Sequence, residues 1–353
     1  MDFGIMFFGA AEGIESVNRY DVVLRAAELA DRGGLRAVWT PERHFDEFGG
    51  LFPNPALTSA ALAVRTSRLE IRAGSVVSPL HNTVRLAEDW SVVDNLSGGR
   101  VALSFGSGWN VNDFVLMPDR YNSRRTVMYE QIETVRRLWA GDAVTLLNPA
   151  DKPVEVRLTP RPVRADLPIW LTASSSPDTF RRAGEIGANV LTHLIFHNLD
   201  ELSGKIKIYR EARRAAALEP GNGRVCLMLH TFLDGDRERA RSVVEHPLKT
   251  YLRSAVKLEQ LSASGGGTIS GSKTMVAEEL PADLMEQMLE MTFERYFDTG
   301  SLIGDTDHCA GIVDQVADAG VDEIACLIDF GVPADAMLTS LEQITRLAAL
   351  RRV

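Results

Sequence analysis

The chain has 353 residues, 45% of them hydrophobic, enough for one large α/β barrel or two medium domains. Its formal net charge is −10, and basic residues are no denser than the pairs Arg124-Arg125 and Arg213-Arg214, which argues against a nucleic-acid partner. There is no run of about 18 apolar residues, the length a membrane-spanning helix needs.

In chain order, Asp2 to Phe8 is a short apolar run and reads as a first strand. The segment has no basic region before it and acidic residues after it, unlike a signal peptide. Val22, Ala26, Leu29 and Ala30 place a helix over 17–32, stopped at Gly33-Gly34. Leu35 to Thr40 is a second strand, and it runs directly into Pro41-Glu42-Arg43-His44. The loop 41–55 that follows is long for a strand-to-helix connection, and long loops after strands commonly carry function. A helix over 56–66 leads to a third strand, Leu69 to Val77. Next come Ser78-Pro79-Leu80-His81-Asn82 and a helix closing at Gly98-Gly99.

Arg100 to Phe105 is the fourth strand, with Gly106-Ser107-Gly108-Trp109-Asn110 as its exit. A helix over 122–140 is followed by a proline-punctuated hairpin excursion over 143–165. Pro168 to Thr172 is the fifth strand and ends at Ser174-Ser175-Ser176-Pro177. Asn189 to Leu194 is the sixth, with a helix over 199–217, and Arg224 to Leu233 is the seventh, with a helix over 236–249. Residues 251–300 break the rhythm and read as an insertion, a mobile segment able to serve as a lid. A helix over 307–319, an eighth strand over 322–328 and a helix over 335–351 complete the chain. Eight strands alternating with helices, without a compositional break, predict a single (β/α)8 TIM barrel over 1–353, the insertion included.

Catalytic groups of such barrels gather at the C-terminal ends of the strands. Glu42, Arg43 and His44 stand at one such end, where an imidazole can act as a general base. Ser174, Ser175 and Ser176 precede Pro177 at a helix start, the pattern of a phosphate site or, more plainly, of a helix cap. Gly106-Ser107-Gly108 lacks the third glycine of a dinucleotide loop but would let a flat ring approach the backbone; Trp109 reads as packing rather than as a ring stack. His81 and Asn82 fit a helix cap or a ring-contacting pair equally well. His193 and His197 are four apart, yet they straddle a strand end with no completing ligand nearby, so no metal is expected. Cys226, Cys309 and Cys326 are scattered, odd in number and set among apolar residues, as in reduced core thiols of a cytoplasmic protein.

Together these pieces resemble the luciferase-like flavin monooxygenases. The resemblance is carried by Trp39-Thr40-Pro41-Glu42-Arg43-His44, by Arg72 to Val77, by Gly98 through Asn110, by Ser174 to Gly184 and by Ala319 to Ile324. It spans most of the chain except about 251–300, and is nearest to the subgroup found in natural-product biosynthesis. It implies a TIM barrel, usually a homodimer, that receives reduced FMN from a separate flavin reductase, activates O2 and oxygenates an organic substrate, free or carried on a carrier protein. By position it implies that His44 is the catalytic histidine and that Gly74-Ser75 is a non-proline cis peptide bulging toward the flavin. It places Leu103, Ser104, Gly106 and Ser107 along the flavin ring, and Ser174, Ser175, Ser176 and Thr179 at the phosphate, with Thr192 at the ring edge. Luciferase has a basic residue where Ser107 stands and a glutamate where Ser174 stands, so phosphate charge would be met by Arg124 or Arg182. The same barrel also serves deazaflavin-dependent hydride transfer and non-catalytic flavin binding, which are the alternatives.

Overall fold

A computed structural model of the chain describes residues 1–8, 19–46, 50–195, 197–218, 223–264 and 282–351, without the side chains of 255–264 and 282–285. Eight parallel strands form the wall: β1 (Asp2–Met6), β2 (Ala37–Thr40), β3 (Glu70–Val77), β4 (Val101–Gly106), β7 (Ile169–Thr172), β8 (Asn189–His193), β9 (Val225–Leu233) and β11 (Glu323–Leu327). Each pairs with the next, and β11 pairs back onto β1, so the sheet closes as a (β/α)8 barrel. Helices α1 (Asp21–Arg32), α2 (Pro55–Arg65), α3 (Thr83–Ser97), α4 (Arg124–Ala140), α5 (Pro177–Glu185), α6 (Leu199–Ala215), α9 (Thr306–Asp318) and α10 (Ala334–Leu350) cover the outside. The excursion after α4 is an antiparallel hairpin, β5 (Val144–Leu147) with β6 (Pro153–Val156).

Local chemistry sets the boundaries. The Asn54 side chain accepts from the N–H groups of Ala56 and Leu57 and starts α2; Asn82 does the same for α3 through Val84 and Arg85. Gly98 and Gly141 end α3 and α4 in the left-handed conformation, at φ 69° and 94°.

The period of two along the strands sorts side chains into two packed layers. Val38, Ile71, Leu103, Phe105, Val190 and Leu227 face outward and join the apolar faces of the helices. Met6, Trp39, Ala102, Trp170, Leu191 and Cys226 face inward. This inner layer runs on without a break into Tyr251, Leu289 and Phe293 of the insertion. The three cysteines are free thiols, all buried.

Two features depart from the expectation. The helix after β9, α7 (Arg237–Ser264), runs through Pro247 instead of stopping near 249. An interior proline costs ~3 kcal/mol, but the next turn buries Leu248, Tyr251 and Leu252, and each such burial returns ~1.5–3 kcal/mol. A three-residue strand, β10 (Leu302–Gly304), also pairs with Thr231 to Leu233 of β9, beyond the point where β9 leaves β11. It is too short to show periodicity. Helix α8 (Ala282–Arg295) packs against α7; residues 265–281 of the expected lid lie outside the described residues. Among the described residues no helix is long and apolar enough to cross a membrane.

Candidate active site

The polar groups singled out in the sequence do converge at the C-terminal mouth of the barrel, and Glu42 is their centre. Its carboxylate is buried directly after β2. Glu42 Oε1 accepts from His44 Nε2 at 3.1 Å and from His81 Nε2 at 2.7 Å, and Oε2 accepts from the backbone N–H of Val77 at 2.6 Å. Burial alone raises the Glu42 pKa, but the hydrogen bonds from both histidines and Val77 outweigh it and hold the carboxyl below its ordinary value. Burial likewise lowers the His81 pKa, and the Glu42 carboxylate more than reverses this, so His81 favours its protonated form. An ionised Glu42 can only accept, which puts a proton on His44 Nε2 and leaves Nδ1 as the nitrogen free to take one.

His81 is therefore separated from Asn82: Asn82 caps α3, and His81 shares the Glu42 oxygen. Arg43 does not support the imidazole. Its buried guanidinium lies 4.9 Å over the Trp109 ring, with Asp46 at 3.7 Å and Asp113 at 3.9 Å.

The Glu42–His81 pair makes a pH-dependent contribution to stability. Glu42 titrates lower in the folded state, so its contribution is present above its ordinary 4.5 and is lost as pH falls through its folded value. His81 titrates higher when folded, so its contribution is complete below its ordinary 6.5 and is lost as pH rises through its folded value. The pair is fully effective between 4.5 and 6.5. Urea unfolding at stepped pH is expected to show His81→Gln losing most stability inside that window and converging on wild type only above the raised folded value of His81. A constant difference across pH would mean that the pair is not ionic.

The neighbouring strand exits carry the remaining candidates. Gly74–Ser75 is a cis peptide, and the β3–β4 register shifts between Gly74 and Val76. A β-carbon at Gly106 would come within 2.9 Å of Ser75 Oγ, so glycine there keeps the two exits close. At Gly108, φ is 78° and a β-carbon would strike Phe114 and Val77 at 2.8 Å. Ser107, Ser175, Ser176 and Thr179 are partly exposed at the rim. Ser174 Oγ is buried without a hydrogen-bond partner among the described residues. Ser176 occupies the N-cap of α5, but its side chain makes no capping bond, so the serine run is not a plain cap. The Ser104 hydroxyl faces inward and pairs with Thr172 Oγ1 at 2.8 Å, tying β4 to β7.

The strand period fixes the direction of two side chains expected at the ring. The Leu103 side chain belongs to the outer layer with the helices, so Ser104 and Gly106, not Leu103, face the mouth. In β8, Leu191 is inner and Val190 outer, so alternation puts Thr192 on the outer face and His193 on the inner one. Of the two arginines considered for phosphate, Arg124 donates to the carbonyls of Gly108 and Tyr121, beside the β4 exit. Arg182 pairs with Glu185 on an exposed face of α5.

The far wall of the mouth was not foreseen. His230, on the inner face of β9, is 1% exposed and meets Tyr251 of α7 edge-on at 4.4 Å, with Tyr296 and Phe330 at 5.8 and 5.5 Å. Burial drives its pKa down to about 3, so it is neutral. No periodic signal marks these residues, because three of the four come from the insertion or from beyond a strand end. His193 and His197 do face each other, with ring centroids 6.4 Å apart, and burial lowers them to about 4 and about 3.

Known proteins share this architecture. The family described as luciferase-like monooxygenase matches residues 1–323. The oxygenase component of a flavin-dependent trigonelline monooxygenase from Acinetobacter baylyi is 27% identical over 229 residues, covering 63% of this chain and 61% of that protein, so less than two thirds of that relative is spanned. Monooxygenase RslO1 from Streptomyces bottropensis has the same fold at TM-score 0.77 and 23% identity, with 98% of each chain covered. So does the oxygenating constituent of 3,6-diketocamphane monooxygenase from Pseudomonas putida, a type II Baeyer–Villiger enzyme in complex with FMN, at TM-score 0.78 and 18% identity over 100% of this chain and 99% of that one. The family match runs from β1 to the first residue of β11 and so takes in every strand exit that carries the Glu42 cluster and the serine run: the chain belongs to the luciferase-like, flavin-dependent monooxygenases.

Proposed function

We propose that this chain is the oxygenase of a two-component system. It would receive reduced FMN from a separate flavin reductase and place one oxygen atom into an organic substrate of natural-product type, free or carrier-bound. The observation that carries the reading is the Glu42–His44 pair at the barrel mouth, beside the tight Gly106–Ser75 approach and the unpartnered Ser174 Oγ. The trigonelline relative, named as an oxygenase component, supports a separate reductase.

The residues fit FMN on two counts. Gly106, without a β-carbon, lets the β4 exit lie against Ser75 so that both backbones could face a flat ring, and the partnerless Ser174 Oγ offers a donor at the head of α5. Ser75, Gly106 and Ser107 would hold the ring; Ser174, Ser175, Ser176 and Thr179 would hold the phosphate, with Arg124 at the adjoining loop. Reduced FMN, when bound, supplies the two electrons by which one atom of O2 enters the substrate and the other leaves as water. The protein contributes orientation, exclusion of water and a proton acceptor at His44 Nδ1. Helices α7 and α8, joined to the inner layer through Tyr251 and Phe293, would cover the mouth. The reading carries with it a homodimer and a cytoplasmic location.

The test is FMN titration together with oxygen consumption in the presence of NADH and a flavin reductase. Micromolar FMN binding, weakened about tenfold or more in Ser174→Ala by loss of one hydrogen bond to an anion, is the expected result. No FMN binding and no oxygen uptake above the reductase background would overturn it, and binding of a deazaflavin instead would assign hydride transfer.

A further inference from the structure

Arg43 is a buried cation with unused donors. Its side chain is 2% exposed, yet Nε and Nη2 have no hydrogen-bond partner among the described residues. Its two ion pairs, to Asp46 and Asp113, are 3.7 and 3.9 Å long, beyond hydrogen-bond reach. Burial pushes the Asp113 carboxyl up to about 6 against the opposing pull of Arg43 and His44, so its charge is lost as pH falls through that value. Asn110 already holds one Asp113 oxygen, at 2.7 Å. A guanidinium stays protonated at any ordinary pH, and a buried one ordinarily fills its planar fork with carboxylate or carbonyl oxygens. This one leaves half of that fork empty.

Its position gives the vacancy a meaning. Arg43 follows β2 and lies over Trp109 at the β4 exit, on the side of the mouth toward Tyr251 of α7. Tyr251 belongs in turn to the aromatic wall that Tyr296 and Phe330 complete around His230. A cation over one aromatic face and beside others suits a planar acid, its ring against the aromatic wall and its anionic oxygens on the empty fork.

We infer that Arg43 is the substrate-recognition residue of this mouth and that the substrate carries an anionic oxygen, a carboxylate or a phenolate or enolate, on a flat apolar body. Calling the ligand a substrate rests on the proposed oxygenase reading; the binding of the anion at Arg43 does not. The phosphate of FMN offers the same chemistry, so the test separates the two sources.

Calorimetric titration of the full chain with benzoate and with benzamide, equal in shape and differing in charge, is the direct measurement. Wild type is expected to prefer benzoate by about tenfold or more, the ratio that a hydrogen bond to a charged group produces. Arg43→Met is expected to abolish the preference, and Arg43→Lys to retain part of it, since an ammonium keeps the charge without the fork. The ratio of FMN to riboflavin affinity is expected to be the same in all three proteins, which also reports that the variants are folded. Equal binding of benzoate and benzamide by wild type, or binding of neither, overturns the inference. A preference that survives in Arg43→Met also overturns it. A fall in FMN but not riboflavin affinity in Arg43→Met assigns the fork to the flavin phosphate and overturns the substrate assignment. None of these outcomes depends on oxygen uptake, so the inference and the oxygenase reading fail separately.

Discussion

His44→Ala is expected to lower turnover by roughly 10²–10⁴-fold, the range for loss of a positioned general acid or base, while FMN affinity is unchanged. Turnover is read as oxygen uptake dependent on added substrate, above the reductase background. Glu42→Gln is expected to lose activity as well, for a different reason. The carboxylate accepts three hydrogen bonds, two on Oε1 and one on Oε2. An amide supplies only one oxygen, so its NH2 group must face either the Val77 N–H or the two histidine N–H groups, donor against donor. His44 is then released from the tautomer with Nε2–H, or the loop leaves Val77. If His44→Ala keeps more than a tenth of wild-type turnover, His44 is not the acid–base group.

The barrel was legible because the strands are spaced and patterned as a parallel wall must be. Eight short apolar runs alternate with helical patterns, and in the structure Trp39, Arg72, Ala102 and Trp170 take inner positions and Val38, Ile71, Val101 and Leu171 outer ones. The strand exits, and with them His44 and the serine run, followed from that wall. Which exit residue turns inward did not follow, because a continuous apolar strand reads alike on both faces; the outward turn of the Leu103 and Thr192 side chains was hidden for that reason. The partners of Glu42 were illegible for another. His81 is 39 residues away and meets it only once β2 and β3 are in register. Tyr251 and His230 meet only because α7 continues past 249, where the sequence pattern ends the helix and the burial of Leu248, Tyr251 and Leu252 extends it.

The other large effect is expected at the opposite end of the barrel axis, where Arg72 fills the interior beneath the site. It is completely buried, sandwiched between Trp39 and Trp170 at 4.6 and 4.7 Å from their ring centroids. Its Nη1 donates to Glu323 Oε1 at 2.8 Å and its Nε to Glu70 Oε2 at 3.0 Å. The carboxylates are shared in turn: Glu323 also meets Arg224 at 3.2 Å, and Glu70 meets Arg36 at 3.0 Å. Arg72→Met keeps the apolar volume between the indoles but leaves Glu323 buried with one fewer cation, and is expected to lower unfolding free energy by about 3–5 kcal/mol. Arg72→Lys is not a rescue, because an ammonium cannot lie flat between two rings and reach two carboxylates at once. The double variant Arg72→Met with Glu323→Gln is expected to be less destabilised than Arg72→Met alone, since it removes the stranded charge along with its partner. Chemical denaturation of the three proteins decides the matter. A loss under about 1 kcal/mol for Arg72→Met, the scale of a solvated surface pair, would show that the aromatic stack holds the barrel floor without the ions; a double variant worse than the single would place the deficit in packing around Glu323 instead of in its charge.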